Sequence, residues 1–189
     1  MEMEYRPPPP VEVTDLASGL KALVDTPRLL SVRLQEQRQQ ARRVGAHPDI
    51  LEFERRFIRR LQHRHGIPMY GHNMVRSKME QAALYVQGVT KAQYGESPHN
   101  WGCAVDIVHS VFAWDLQEQS WAMLGHIGKE VAKQAGIKVV WGGDWSFYDP
   151  AHWELSNWRE IRGDFPEWPH TRKWVGGQRV PLPKEAAGH

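Results

Sequence analysis

The chain has 189 residues, a net charge of +2, one cysteine and no apolar run approaching the length of a membrane span. That length suffices for one domain with a real core. The balanced charge gives no bulk attraction to nucleic acid, the lone cysteine excludes an intrachain disulfide, and the lack of a long apolar run excludes a transmembrane helix.

Segment 1–26 begins Met-Glu-Met-Glu-Tyr-Arg and continues into Pro7–Pro10. It reads as an extended, polyproline-like N-terminal segment, with a short strand at Val11–Val13 and a short helix over Leu16–Leu23. It has no apolar h-region, so no secretory signal is expected. Segment 27–66 reads as helical and packs on or precedes the core that follows. Pro27 suits a helix start, with Thr26 or Asp25 as cap. Leu30, Leu34 and Val44 give a sparse apolar stripe, which His47-Pro48-Asp49 breaks. A second helix then carries Ile50, Phe53, Phe57 and Leu61 at spacings of three and four. Gly66 and Pro68 stop it. Arginine and glutamine crowd the stretch from Arg28 to Arg64, and Arg172, Lys173, Arg179 and Lys184 add a basic tail. Solvated helix faces account for this more readily than attraction to an anionic cell wall.

Segment 67–160 is mixed. Met69–Met74 reads as a strand leading to Arg76. Ser77–Val86 reads as a helix with Ala82, Ala83 and Tyr85 partly buried, and 89–98 as a loop. Ala104–Val108 is a buried strand. Trp121, Leu124, Ile127, Val131 and Ala135 fall on one face of a helix that backs the sheet. Gly136 ends that helix, and Ile137–Trp141 forms another strand. In segment 161–189, rich in Trp and Pro, Phe165, Trp168 and Trp174 join Trp158 in stapling the tail to the domain. The last dozen residues should be loose.

Two short segments carry the chemistry: Ser97-Pro-His-Asn-Trp-Gly-Cys-Ala-Val-Asp106 and Trp141-Gly-Gly-Asp-Trp-Ser-Phe-Tyr-Asp-Pro-Ala-His-Trp-Glu154. His99, Asp106 and His152 supply two imidazoles and a carboxylate. Three zinc ligands leave a fourth position for water, the pattern of a catalytic site. Asp106 would sit on the rigid strand and His99 on the loop entering it. Asp149 and His152 cannot share a strand face, because their spacing is odd. Pro150 disfavours helix at Asp149, so a turn brings the two together, with Asp149 placed as general base. His152 and Glu154 then lie on one strand face, which makes Glu154 the rival base.

The pattern Ser-x-His-x6-Asp, then Trp-Gly-Gly-Asp-Trp and Asp-x-x-His-x-Glu, resembles the zinc D-Ala-D-Ala carboxypeptidase and L-Ala-D-Glu endopeptidase family, which includes VanY-type carboxypeptidases and phage endolysins. The match extends upstream through Arg76-Ser-x3-Gln81-x2-Leu-Tyr85-x2-Gly88-x-Thr90 and covers roughly Tyr70 to Glu154. The resemblance implies zinc on His99, Asp106 and His152, Asp149 as base, and Arg76 on the substrate or the developing oxyanion, with Gln81 and Ser97 nearby. It implies an α+β fold: a small antiparallel sheet carrying the zinc, helices packed on one side, and an N-terminal helical extension. It also implies peptidoglycan as the partner, with the L-Ala-D-Glu bond favoured as the one cut. A D-Ala-D-Ala carboxypeptidase and a zinc-binding structural or virion module without hydrolysis stay open. The N-terminal helices would serve virion docking or self-association in the latter case. Without an export signal, such an enzyme would be made in the cytoplasm and reach the wall through holin lesions or from a virion.

Several residues admit two readings. Asp144 either orients a zinc histidine or forms a turn after two glycines. Trp101, Trp145 and Trp153 adjoin the metal segments and are placed near the cleft, whereas most of the nine tryptophans are expected in core or tail. Cys103, between Gly102 and Ala104, reads as a small packed hydrophobe rather than a ligand. His109 is either an outer partner of the metal site or unrelated to it. His47, His63, His65, His72 and His126 read as surface residues.

Overall fold

The structure is a computed structural model that describes residues 18–168 and the backbone of strands at 172–175 and 178–181. Strands β1 (Met69–Asn73), β2 (Ala104–His109), β3 (Val139–Trp141) and β4 (His152–Leu155) form one antiparallel sheet in the order β1-β2-β4-β3. Strands β5 (Arg172–Val175) and β6 (Gln178–Pro181) form a separate hairpin. The helices include α1 (Thr26–Leu29), α2 (Val32–Arg38), α3 (Pro48–His65), α4 (Lys78–Val86), α5 (Glu118–Ala135) and α6 (Trp158–Ile161).

Alternation along the strands sorts the side chains. Trp153 of β4 points to the helix side and is buried. Its ring lies 4.9 Å from Phe53 and 5.4 Å from Phe57, both on α3, and 5.8 Å from Trp141 on β3. Helix α5 reaches this layer because Gly128 has no side chain; a Cβ there would overlap the Trp153 ring. Leu34, Phe53, Leu61, Ile107, Leu124, Val131 and Trp158 belong to one continuous hydrophobic cluster. The helical segment before the sheet is thus packed on it. The other sheet face carries Asp106, His152 and Glu154.

The helix ends follow the sequence signals. Asp25 caps α1 by accepting Arg28 N–H, and left-handed Gly66 and Gly136 end α3 and α5. Ser77 and Glu80 form a reciprocal capping box on α4, as their spacing allows. Three expectations are corrected. The first helical stretch splits into α1 and α2, because Ser31 ends one helix and caps the next through Leu34 N–H. Only Leu34 of its apolar stripe is buried; Leu30 and Val44 are exposed. On α4 the inward residues are Gln81 and Leu84, while Ala82, Ala83 and Tyr85 face outward. Trp158 and Trp168 are buried as tail staples, and Trp168 donates to Gly45 O. The Val11–Val13 strand, the polyproline run, the Trp174 side chain and the last residues lie outside the described part. Among the described residues no helix is long and apolar enough to cross a membrane.

Candidate metal centre

Asp106 and His152 are direct cross-strand partners of β2 and β4. Their side chains emerge side by side on one face, as opposite residues in an antiparallel pair must. His99 comes from the 3-10 turn Pro98–Trp101, which left-handed Gly102 closes. A Cβ on Gly102 would meet the backbone of Gly45 and Ala46, so glycine is required there sterically as well as conformationally. Asp149 O accepts His152 N–H at 3.1 Å, so Asp149-Pro-Ala-His152 is a hydrogen-bonded turn entering β4. Pro150 occupies the position where proline favours such turns. Gly142 O accepts the N–H groups of both Trp145 and Asp149, which ties the intervening loop to β3.

Three atoms converge: His99 Nε2, Asp106 Oδ1 and His152 Nδ1. Their separations are 3.2 Å, 3.2 Å and 3.1 Å. Three ligands of a tetrahedral zinc at about 2.0–2.1 Å would stand about 3.3–3.4 Å apart. Outer partners set the tautomers. His99 Nδ1 donates to Met74 O at 2.8 Å, and His152 Nε2 donates to Glu154 Oε2 at 3.0 Å. When the imidazoles are neutral, both inner nitrogens therefore present lone pairs toward a carboxylate oxygen. Three lone pairs meeting at a buried point repel one another unless a cation joins them, so the donor set fits a metal. Among the described residues this is the one group of three metal-binding side chains brought together.

Electrostatics agree with the geometry. Burial opposes ionisation of Asp106, yet the charge and hydrogen bonds of His99 and His152 hold its carboxyl well below the usual range. Burial disfavours charge on His152, but hydrogen bonds to Asp106 and Glu154 outweigh it and raise its pKa to about 9 when no metal competes. Asp149 is pushed the other way. Burial, then repulsion from Asp106, raises its carboxyl above the ordinary value against the pull of His152, His99 and Arg76. A carboxyl so poised can both take up and return a proton.

Arg76 is fastened twice. Its N–H bonds His99 O at 2.9 Å, and its Nη1 donates to Gln81 Oε1 at 3.1 Å. Gln81 is fully buried and donates in turn to Ala92 O. Arg76 Nη2 lies 3.8 Å from Asp106 Oδ2. Its Nε is buried with no hydrogen-bond partner among the described residues. Asp149 also lines a cleft with Trp114, Leu116, Glu118 and Tyr148.

The remaining site expectations are placed as follows. Glu154 is buried and bridges His152 Nε2 and Trp158 Nε1, which makes it an orienting group. Ser97 is buried and precedes the His99 turn without a side-chain cap bond. Asp144 pairs with Lys129 on the surface, so the turn reading applies. Trp153 lies in the core, not the cleft, because it alternates with His152. Trp145 does lie at the site, its ring 5.1 Å from that of His152. Trp101 packs against Phe165. His109 is buried but bonds Leu23 O at the far end of β2. His72 is half-buried against Trp114 rather than on the surface. Cys103 is buried, and burial pushes its thiol up to about 12. Met74 O and Trp158 were not legible as site partners: a backbone acceptor leaves no residue signature, and Trp158 reads from the sequence as a tail staple.

Residues 90–155 match a family described as D-alanyl-D-alanine carboxypeptidase. The chain is 35% identical over 99 residues to the peptidoglycan L-alanyl-D-glutamate endopeptidase CwlK of Bacillus subtilis. That alignment covers 42% of this chain and 56% of CwlK, so the chain spans little more than half the length of this relative. The fold also matches the crystal structure of the L-Ala D-Glu endopeptidase ChiX of Serratia marcescens. The TM-score is 0.51 at 25% identity, covering 70% of this chain and 92% of ChiX.

Proposed function

We propose that the chain is a zinc peptidase of the D-alanyl-D-alanine carboxypeptidase family that its residues 90–155 match, and that it cuts the L-Ala-D-Glu bond of the peptidoglycan stem peptide. The observation that carries the reading is the triangle of His99, Asp106 and His152 with Asp149 and Arg76 beside it. The choice of bond is supported by the two relatives named above, both L-Ala-D-Glu endopeptidases.

A zinc ion held by these three side chains would acidify a bound water and polarise the scissile carbonyl. The chain's own groups do the rest. Glu154 and Met74 O hold the outer imidazole protons, so that the inner nitrogens are the ones left to bind the metal. Asp149 accepts the proton of the attacking water and later delivers it to the departing amine. Arg76, held by Gln81, directs a permanently charged guanidinium at the developing oxyanion or at a substrate carboxylate. The reading without hydrolysis is disfavoured by the presence of both Asp149 and Arg76, which a purely structural zinc site does not need.

The test is hydrolysis of a defined stem peptide by the zinc-loaded protein and by Asp149→Asn. Cleavage between L-Ala and D-Glu, lost in the variant while zinc is retained, is the expected result. A variant as active as the parent would overturn the assignment of the base.

A further inference from the structure

Away from the metal cleft, α3 and α5 border a groove of about 600 Å³. Arg55, Arg56, Arg59, Arg60 and Arg64 of α3 line it, with Val131 of α5 on the opposite wall. Arg55 and Arg59, Arg56 and Arg59, Arg56 and Arg60, and Arg60 and Arg64 are three or four residues apart, so they neighbour one another along the helix surface. The stripe runs about 13 Å along the axis, since each residue rises about 1.5 Å.

Among the described residues the local acids do not pair with all five arginines. Glu52 pairs with Arg55 and Arg56, and Glu130 with Arg60. Arg59 and Arg64 are exposed and have no carboxylate partner among the described residues. Compensation of the helix dipole accounts for basic residues in the last turn, such as Arg64, but not for the four arginines before it. The groove also lies on the helix side of the sheet, behind Trp153, whereas His99, Asp106 and His152 occupy the other side. An occupant would leave the cleft open.

We propose that this groove is an anion-binding site for a phosphate-bearing polymer of the cell envelope, which holds the protein on its substrate while the cleft works. The anionic chemistry rests on the arginines alone, because planar guanidiniums offer paired donors to phosphate oxygens. The envelope source rests on the proposed function. A trough bordered by two helices suits one flexible strand of phosphate esters better than a broad duplex.

The test is binding of the full-length chain to three probes at about 50 and 200 mM salt: poly(glycerol phosphate), a phosphorylated lipopolysaccharide core, and single-stranded DNA of matched charge. One of the envelope probes should bind, more tightly than DNA, and which one binds identifies the source of the phosphate. Arg59→Gln with Arg64→Gln should weaken that binding by about tenfold at the lower salt. It should also make the salt dependence shallower by about 1.4 in log–log slope, or about 0.7 per lost contact. Zinc content and hydrolysis of a soluble stem peptide should stay unchanged in the variant, and Arg33→Gln on α2 should bind like the parent. Unchanged binding in the double variant, no binding of either envelope probe, or DNA binding as tightly as they do would each overturn the proposal. Binding is read without catalysis, so its failure is distinguishable from failure of the peptidase reading.

Discussion

Replacing Glu154 with glutamine keeps the shape of the side chain and removes one acceptor. Glu154 accepts from two donors, His152 Nε2–H at 3.0 Å and Trp158 Nε1–H at 3.1 Å. A glutamine has one oxygen and one NH2 group, and an indole N–H can only donate. If the amide oxygen serves Trp158, the NH2 group faces His152 and forces its Nε2 to accept. The proton then moves to Nδ1, where the metal should bind. If the oxygen serves His152 instead, the Trp158 N–H is left buried against another donor, at a cost of about 1–3 kcal/mol. Either arrangement penalises the metal-bound state. Loss of such an outer partner typically costs about 10–100-fold in metal affinity, or roughly 1.4–2.8 kcal/mol at about 1.4 kcal/mol per decade. Competition for zinc against a chromogenic chelator should therefore show a Kd raised within that range. At saturating zinc, kcat should stay within severalfold of the parent. A folded Glu154→Gln protein with parental zinc affinity would refute the tautomer argument. A protein with parental affinity and no activity would instead make Glu154 the base.

Asp149→Asn should retain zinc and thermal stability while losing about 10²–10⁴-fold in kcat, the usual contribution of a positioned general base; metal analysis alongside steady-state kinetics checks both halves. Arg76→Lys keeps the charge but loses the planar fork and the bond to Gln81, so kcat and kcat/KM should fall together by about a hundredfold if the group serves the oxyanion. A rise in KM alone would assign it to a substrate carboxylate. The pKa of His152 near 9 gives a pH prediction. Since that pKa is raised above the ordinary histidine value of about 6.5, its proton stabilises the metal-free protein fully below about pH 6.5, and this contribution is lost as the pH rises through 9. Zinc must displace the same proton, so apparent affinity should rise about tenfold per pH unit from 7 toward 9 and then level off. Chelator titrations and thermal melts across that range read the two effects.

Most of the site was legible because its donors are chemically distinctive and held by short-range rules. Pro150 forces the turn that brings Asp149 to His152, and period-two alternation puts Glu154 beside that imidazole. The same alternation, applied one residue further, sends Trp153 into the core; adjacency to a metal segment was the weaker guide. The long amphipathic helix α5 and the capped end of α3 follow from spacing and from glycine. The break between α1 and α2 did not, because Ser31 competes as a cap inside an otherwise helical stretch. Asp144 could not be separated from an orienting role by sequence, since its partner Lys129 lies on another element. Nor could the arginines of α3 be told from an ordinary solvated face until α5 closed the groove beside them.

Digestion of purified peptidoglycan by the zinc-loaded protein, followed by mass spectrometry of the products, addresses the central claim most directly. The account predicts glycan fragments ending in L-alanine and released peptides that begin with D-glutamate. Release of terminal D-alanine with the L-Ala-D-Glu bond intact would contradict the endopeptidase assignment, and undigested wall with zinc bound at His99, Asp106 and His152 would contradict the peptidase reading itself.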